Sequence, residues 1–265
     1  MGKRKMPSIA DREKSPMRSL ERALHLLSIL QEAGGSMGLT ELGYASHLSK
    51  PTVLRMLLVL GKYGFVEKRQ GRYRIGVAGL PLAHAYIVGN ELSRVALPVL
   101  QELAHTSGET TSMFVRLGYK RVLVQRVEGP HPLRFVLPLG EKLPLHVGAG
   151  KVLAAAMAED DIRQMLDELG EIRLANGQPM SREALVNELE QVRKQGYAVS
   201  LGERMLGIVA VAAPINDARG NTIAALSVAG TADRLPSKEV ERLSVMVRDA
   251  AKMIAERYDG GSWTT

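Results

Sequence analysis

The chain of 265 residues is 45% apolar, enough for one large domain or two modest ones. It contains no cysteine, which excludes disulfides, thiolate zinc sites, iron–sulfur clusters and a cysteine nucleophile together. Its net charge of +7 is lopsided: Met1 to Ile75 hold 14 Lys and Arg against 6 Asp and Glu, and the remainder holds 21 against 22. A localised basic segment attracts phosphate backbones and raises association rates, although a merely solvated basic surface has the same composition.

Residues 1–17 are basic and polar, with no apolar core of the kind a signal peptide needs, and read as a mobile tail. No stretch reaches the 18 or so apolar residues of a membrane span, so no membrane partner is expected and the protein is expected in the cytoplasm. From Ser19 the apolar positions Leu20, Ala23, Leu24, Leu27 and Leu30 follow helical spacing, and Gly34-Gly35 ends the helix. A second short helix is expected from about Thr40, its N-cap, to His47. A third runs from Lys50 to Tyr63, with Ser49 as N-cap, Pro51 in the first turn and Val53, Met56, Leu57 and Leu60 inward. Three short helices with a tight turn between the last two form a helix-turn-helix unit. Phe65–Lys68 and Arg72–Ile75 then flank a Gln-Gly turn, a hairpin whose tip carries Lys68, Arg69, Arg72 and Arg74.

A basic hairpin directly after a helix-turn-helix is the wing of a winged helix, giving a domain at 18–76. Its third helix is narrow enough for the major groove, with its N-terminal residues nearest the base edges. Ser49, Lys50, Thr52 and Arg55 are therefore the candidate contacts on double-stranded DNA, with Arg69 and Arg72 on the phosphates or in the minor groove. Arg55 is suited to bidentate contact. Residues 77–91 read as a linker helix, apolar on a broad face through Leu80, Leu82, Ala83, Ala85, Tyr86 and Ile87. Such a helix buries itself either against a second copy or against the chain's own domains.

From residue 92 to 258 helices and strands alternate. Helices are expected at Leu92–Thr106, Lys151–Ala158, Arg182–Gln195 and Ser237–Arg257. Strands are expected at Thr110–Leu117, Arg121–Glu128, Leu133–Leu137, Tyr197–Ser200, Ile208–Ile215 and Thr222–Val228. This order fits an antiparallel sheet with helices on its faces, and the chain as a whole is α+β; residues 259–265 read as a flexible tail. Gly148-Ala149-Gly150-Lys151 is no phosphate loop, because Leu145 stands where the first glycine belongs and Val152 where Ser or Thr belongs. The same loop precedes a helix, and backbone N–H groups there suit an anion. Arg134, with His131 and His146 nearby in sequence, is a natural carboxylate partner or an ordinary surface arginine. The histidines lack metal-ligand spacing, and no GxSxG, HExxH or GxGxxG pattern supports an enzyme; neither metal nor cofactor is expected.

Several stretches resemble the IclR-type (isocitrate lyase regulator) family of bacterial transcription regulators. They are SLERALHLLSIL, PTVLRMLLVLGKYGFVEK and GRYRIG in the first domain, then SGETTSMFVRL, LPLHVGAGKVLAA, QGYAVSLGERMLGIVAVAAPI and AALSVAG. The resemblance covers about Ser19 to Ala255. It implies a winged helix, a linker helix and a GAF-like α/β effector domain, assembled as a homodimer or homotetramer. It further implies that a small carboxylate controls operator binding or recruitment of RNA polymerase. By the same resemblance the amides of Gly148 and Ala149 hold the ligand carboxylate, and Ser200, Ile208 and Ala210 line the pocket. This sequence departs from the family at His47, where the turn usually has Gly, and at Gly43, where Ala is usual. It departs again at Ser200, in place of an Asp, at Gly202-Glu203, where an acidic pair is frequent, and at Ala210, where the namesake has Cys. A roomier, less polar pocket is expected, for an acid bulkier than glyoxylate or pyruvate and aromatic in character.

Overall fold

The computed structural model describes residues 16–258 apart from Leu133 and Phe135, so the tail expected at 259–265 and nearly all of that at 1–17 lie outside the described residues. The chain divides into two units, one ending at Gly89 and one beginning at Asn90. The first contains α1 (Arg18–Glu32), β1 (Met37–Gly38), α2 (Leu39–Ser46), α3 (Lys50–Lys62), β2 (Val66–Arg69), β3 (Arg72–Ile75) and α4 (Gly79–Gly89). Its core joins Leu26 and Leu30 of α1, Leu42 of α2, Val53 and Leu57 of α3, and Val66 and Tyr73 of the hairpin. Each such aliphatic side chain taken from water stabilises the unit by about 1.5–3 kcal/mol.

The buried face of α1 shares Leu27 and Leu30 with the expected one but is rotated away from Leu20 and Leu24. Leu26 and Leu30 are buried, while Leu20 and Leu24 are half-exposed. With Leu at 20, 24, 26, 27 and 30 the helix carries two apolar stripes, and packing against α2 and α3 selects the second. Gly38, not Thr40, precedes α2, and Glu41 accepts a hydrogen bond from the Gly38 N–H at 2.9 Å. His47 ends α2 in the left-handed conformation (φ 54°, ψ 31°), so the turn is made without glycine. β1 was not anticipated; it joins the wing as an outer strand in the antiparallel order β1-β3-β2. Gln70 and Gly71 both have positive φ, as a two-residue type I′ hairpin turn requires.

The second unit contains α5 (Glu91–Ser107), β4 (Thr110–Leu117), β5 (Lys120–Val127), β6 (Lys142–Pro144), α6 (Gly150–Ala155), α7 (Glu159–Leu169), β7 (Ile172–Arg173), β8 (Pro179–Met180), α8 (Arg182–Gln195), β9 (Ala198–Leu201), β10 (Ile208–Asn216), β11 (Thr222–Thr231) and α9 (Ser237–Arg257). Six strands form one antiparallel sheet in the order β6-β5-β4-β11-β10-β9. Alternation of side chains along β10 divides the core. Val209, Val211, Ala213 and Ile215 face α5 and α9, and Ala212 faces α6, α7 and α8. The strand expected at 133–137 is not seen at its described residues, and the edge is made by β6 instead. The helix expected to reach Ala158 stops at Ala155. It is followed by α7, which buries Ile162, Met165 and Leu166 at helical spacing, a pattern present in the sequence that the chain-order reading passed over.

Candidate DNA-binding surface and effector site

Ser49 takes extended backbone before α3, and its carbonyl accepts from Val53 N–H at 3.0 Å. Its hydroxyl bonds the Thr52 hydroxyl at 2.8 Å rather than a backbone amide, so it marks the start of the helix without capping it in the expected way. Lys50 and Arg55 are exposed, and Thr52 is half-buried. Arg55 makes one long bond, 3.4 Å to the Pro51 carbonyl, and no ion pair among the described residues. An open groove of about 630 Å³ runs between the start of α1 and α3, lined by Arg18, Ser19, Arg22, Thr52, Arg55 and Met56. Neither arginine of α1 was among the DNA contacts expected from the sequence.

The wing cations fall into two classes. Arg69, at the turn, is exposed and unpaired among the described residues, and Lys68 lies 5.5 Å over the Tyr73 ring. Arg72 and Arg74 are engaged. Arg74 pairs with Glu67 at 2.8 Å. Arg72 donates to the Ser36 carbonyl at 2.7 Å and pairs with Glu41 at 3.0 Å, so it braces the wing against the entry to α2. The Gly38 N–H first and then Arg72 hold the Glu41 carboxyl below its ordinary value.

In the second unit, Gly148 (φ +58°) and Ala149 lead into α6. That helix has six residues and is buried throughout, so its macrodipole is small. Gly148 N–H donates at 2.8 Å to a carboxylate that belongs to the chain, Glu203 Oε2. The other oxygen of Glu203 meets Lys151 Nζ, which also meets Glu188 and donates to the Val199 carbonyl at 2.8 Å. Lys151 is fully buried and the Glu203 side chain is 10% exposed. Sequence reading counted Lys151 only against a phosphate loop and Glu203 only as the survivor of an acidic pair.

Beneath the loop lies Arg121, which donates to the carbonyls of Pro144 and Val147 and stacks on Phe114, its guanidinium carbon 5.2 Å from the ring centre. Burial, helped by Arg204, pushes Arg121 down to about 9, so it stays charged at neutral pH. A Cβ on Gly150 would collide with this guanidinium and with the Leu145 backbone, and one on Gly148 would stand 3.2 Å from it. The loop is therefore small on account of Arg121 as well as any ligand. His146 is kept below its ordinary value by burial and by Arg121, and its buried Nδ1 has no hydrogen-bond partner among the described residues.

Ser200 and Ala210 are paired across β9 and β10, and Ile208 lies on the same face two residues before Ala210. That face is the one shared with Ala198, Ala212 and Ala149 in the α6 core. Gly148, Ala149, Ser200, Ile208 and Ala210 are thus brought to one side of the sheet. Arg134 is not among them. It pairs with Glu128 at 2.5 Å just past the end of β5, whereas Arg121 and the loop are at that strand's start, roughly 20 Å away. His131 goes with Arg134, its Nε2 beside Gly108. A chain gap of fourteen residues suggested nearness, but the strand that both segments adjoin holds them apart.

Two family models match the chain: an IclR helix-turn-helix domain over residues 19–70 and a bacterial transcriptional regulator IclR C-terminal domain over residues 84–256. The HTH-type transcriptional repressor AllR of Salmonella typhimurium (strain LT2) is 33% identical over 240 residues, covering 89% of this chain and 88% of that protein. An IclR transcriptional regulator from Alicyclobacillus acidocaldarius superposes with a TM-score of 0.76 at 27% identity, over 90% of this chain and 98% of that one. An IclR homolog from Microbacterium hydrocarbonoxydans, solved in complex with 4-hydroxybenzoate, has the same fold, with a TM-score of 0.69 at 22% identity over 90% and 98% of the two chains.

Proposed function

The chain belongs to the IclR family of transcription regulators, and from that premise we propose that a small organic acid, bound at the Gly148–Ala149 loop, sets its affinity for operator DNA or its recruitment of RNA polymerase. The observation that carries this reading is the bond from Gly148 N–H to the buried Glu203 carboxylate. A backbone amide that already serves a carboxylate, beside a buried ammonium, has the chemistry an incoming carboxylate needs. The acid's carboxylate takes the place of Glu203, and the displaced side chain releases the segment 201–207. That segment is tied down by Gly202 N–H on Ile208 O and by Ala175 N–H on Glu203 O. Ser200 and Ala210 leave the neighbouring sheet face small and weakly polar, which favours an aromatic acid over glyoxylate.

DNA is engaged through α3 and the wing, with Arg55 and Lys50 near the bases and Arg69 and Lys68 on phosphates. Two-fold pairing supplies two such helices to a pseudo-palindromic operator. α4 is the candidate for that pairing. It has no buried residue, and Leu80, Leu82 and Val88 are each more than 60% exposed; apolar surface on this scale marks an interaction site.

The test is fluorescence anisotropy on a duplex selected from random sequence by the protein, with 4-hydroxybenzoate, benzoate, glyoxylate and pyruvate added in turn. An aromatic acid is expected to shift the DNA affinity by about 5- to 150-fold, the usual range of such coupling. A shift by glyoxylate alone would remove the aromatic assignment, and indifference to every acid would remove the effector reading.

A further inference from the structure

The outward face of α3 is more apolar than a phosphate-binding helix requires. At 100° per residue Arg55 stands opposite the core pair Val53 and Leu57, and Leu58 lies about 60° to one side of it, between Leu54 on the flank and Pro51 and Lys62. Leu58 is 65% exposed and Leu54 36%. Two leucines one turn apart thus show apolar surface to water, Leu58 most of its side chain and Leu54 about a third. The cations Arg55 and Lys62 flank them within a basic unit, so the surface complements a polyanion that offers apolar groups between its charges. The major groove does this at thymine, whose C5-methyl projects beyond the base edge.

We propose that Leu54 and Leu58 are specificity residues that contact thymine methyl groups, next to a guanine read by Arg55. Leu54 and Leu58 lie about 6 Å apart along the helix, so their methyls sit on base pairs one or two steps apart. Each half-site then holds a G and two nearby thymines. The assignment rests on α3 being the helix that reads DNA.

The experiment starts from the duplex that the full-length protein selects out of a random library. Each thymine is replaced singly by deoxyuracil, which deletes only the methyl, and affinity is measured at fixed salt for the wild type, Leu54→Ala and Leu58→Ala, with Arg55→Ala as the control for α3. At one or two positions per half-site the wild type is expected to lose about fourfold per methyl, the value of one buried carbon. The matching leucine variant is expected to be indifferent to the same replacement. The slope of affinity against salt should be unchanged in both variants, because no phosphate contact is touched, and the largely exposed Leu58→Ala should also keep its melting temperature. If no methyl matters to the wild type, or if it matters equally to wild type and variants, the thymine assignment is overturned. If Arg55→Ala also leaves sequence selection intact, or no sequence is enriched at all, the reading of α3 fails with it. A change of molecular mass in Leu58→Ala would assign the leucines to a contact between copies of the chain and would equally overturn the proposal.

Discussion

A buried lysine joins two carboxylates inside the second unit. Lys151 has no exposed surface and is held by two carboxylates and a carbonyl. Its replacement in Lys151→Met leaves Glu203 and Glu188 facing each other with no cation between them. Removing one partner of a buried pair costs about 3–5 kcal/mol, and the partial exposure of Glu188 places the expected loss near the lower end. Urea unfolding of the full chain measures it, and a loss under about 1 kcal/mol would mean that water reaches the cluster. His146 gives a pH dependence of defined sign. Burial first, then Arg121, lowers its value below the ordinary 6.5, while Glu203 opposes them. The folded state therefore binds fewer protons than the unfolded one once pH falls below about 6.5, and stability falls with it. His146→Gln is expected to shrink the drop in melting temperature between about pH 7.5 and pH 5.5 relative to the wild type. An identical drop in both would assign the acid sensitivity to other groups.

At the scale of elements, the wing depends on a contact that only glycine permits. After β3, Gly76 N–H bonds the Phe65 carbonyl at 2.8 Å and Ala78 N–H bonds that of Gly64 at 3.1 Å. A Cβ on Gly76 would fall on the Gly64 carbonyl, and the obstacle is backbone, which cannot swing aside. Gly76→Ala should destabilise the winged-helix unit by at least about 2 kcal/mol and weaken DNA binding, through displacement of the hairpin that carries Lys68 and Arg69. Unchanged melting and unchanged DNA affinity would show that the hairpin root is more pliable than its geometry suggests. The β2–β3 hairpin itself was legible from Gln-Gly between two short strands. β1 was not, because two residues in a strand leave no periodicity to read. Arg72 illustrates the same limit: its partners Ser36 and Glu41, more than thirty residues away, are brought to it by β1 and α2.

For the molecule as a whole, the proposed pairing through α4 is open to a direct test. A helix apolar all round and with no residue buried is stable as part of a larger contact. The double variant Leu82→Lys, Val88→Lys is expected to shift the sedimenting species toward the monomer and to lower affinity for a two-half-site duplex much more than for a single half-site. An unchanged mass would move the pairing surface elsewhere. The exposed Leu20 and Leu24 of α1 lie in the same unit and are the next surface to substitute.

The sequence alone determined the winged helix, the basic front unit, the long helices and strands and the antiparallel α+β character of the second unit, because periodicity, turn residues and charge are local properties of the chain. It also marked Gly148-Ala149 as special. Only the tertiary structure decided which groups meet at that loop. The meeting of Gly148, Lys151 and Glu203 joins residues more than fifty positions apart. The separation of Arg134 from the loop is set by the length of β5, and the choice between the two stripes of α1 by α2 and α3. Long-range packing selects among partners that composition and spacing leave equivalent, and that selection turns a run of small residues into a seat for a carboxylate.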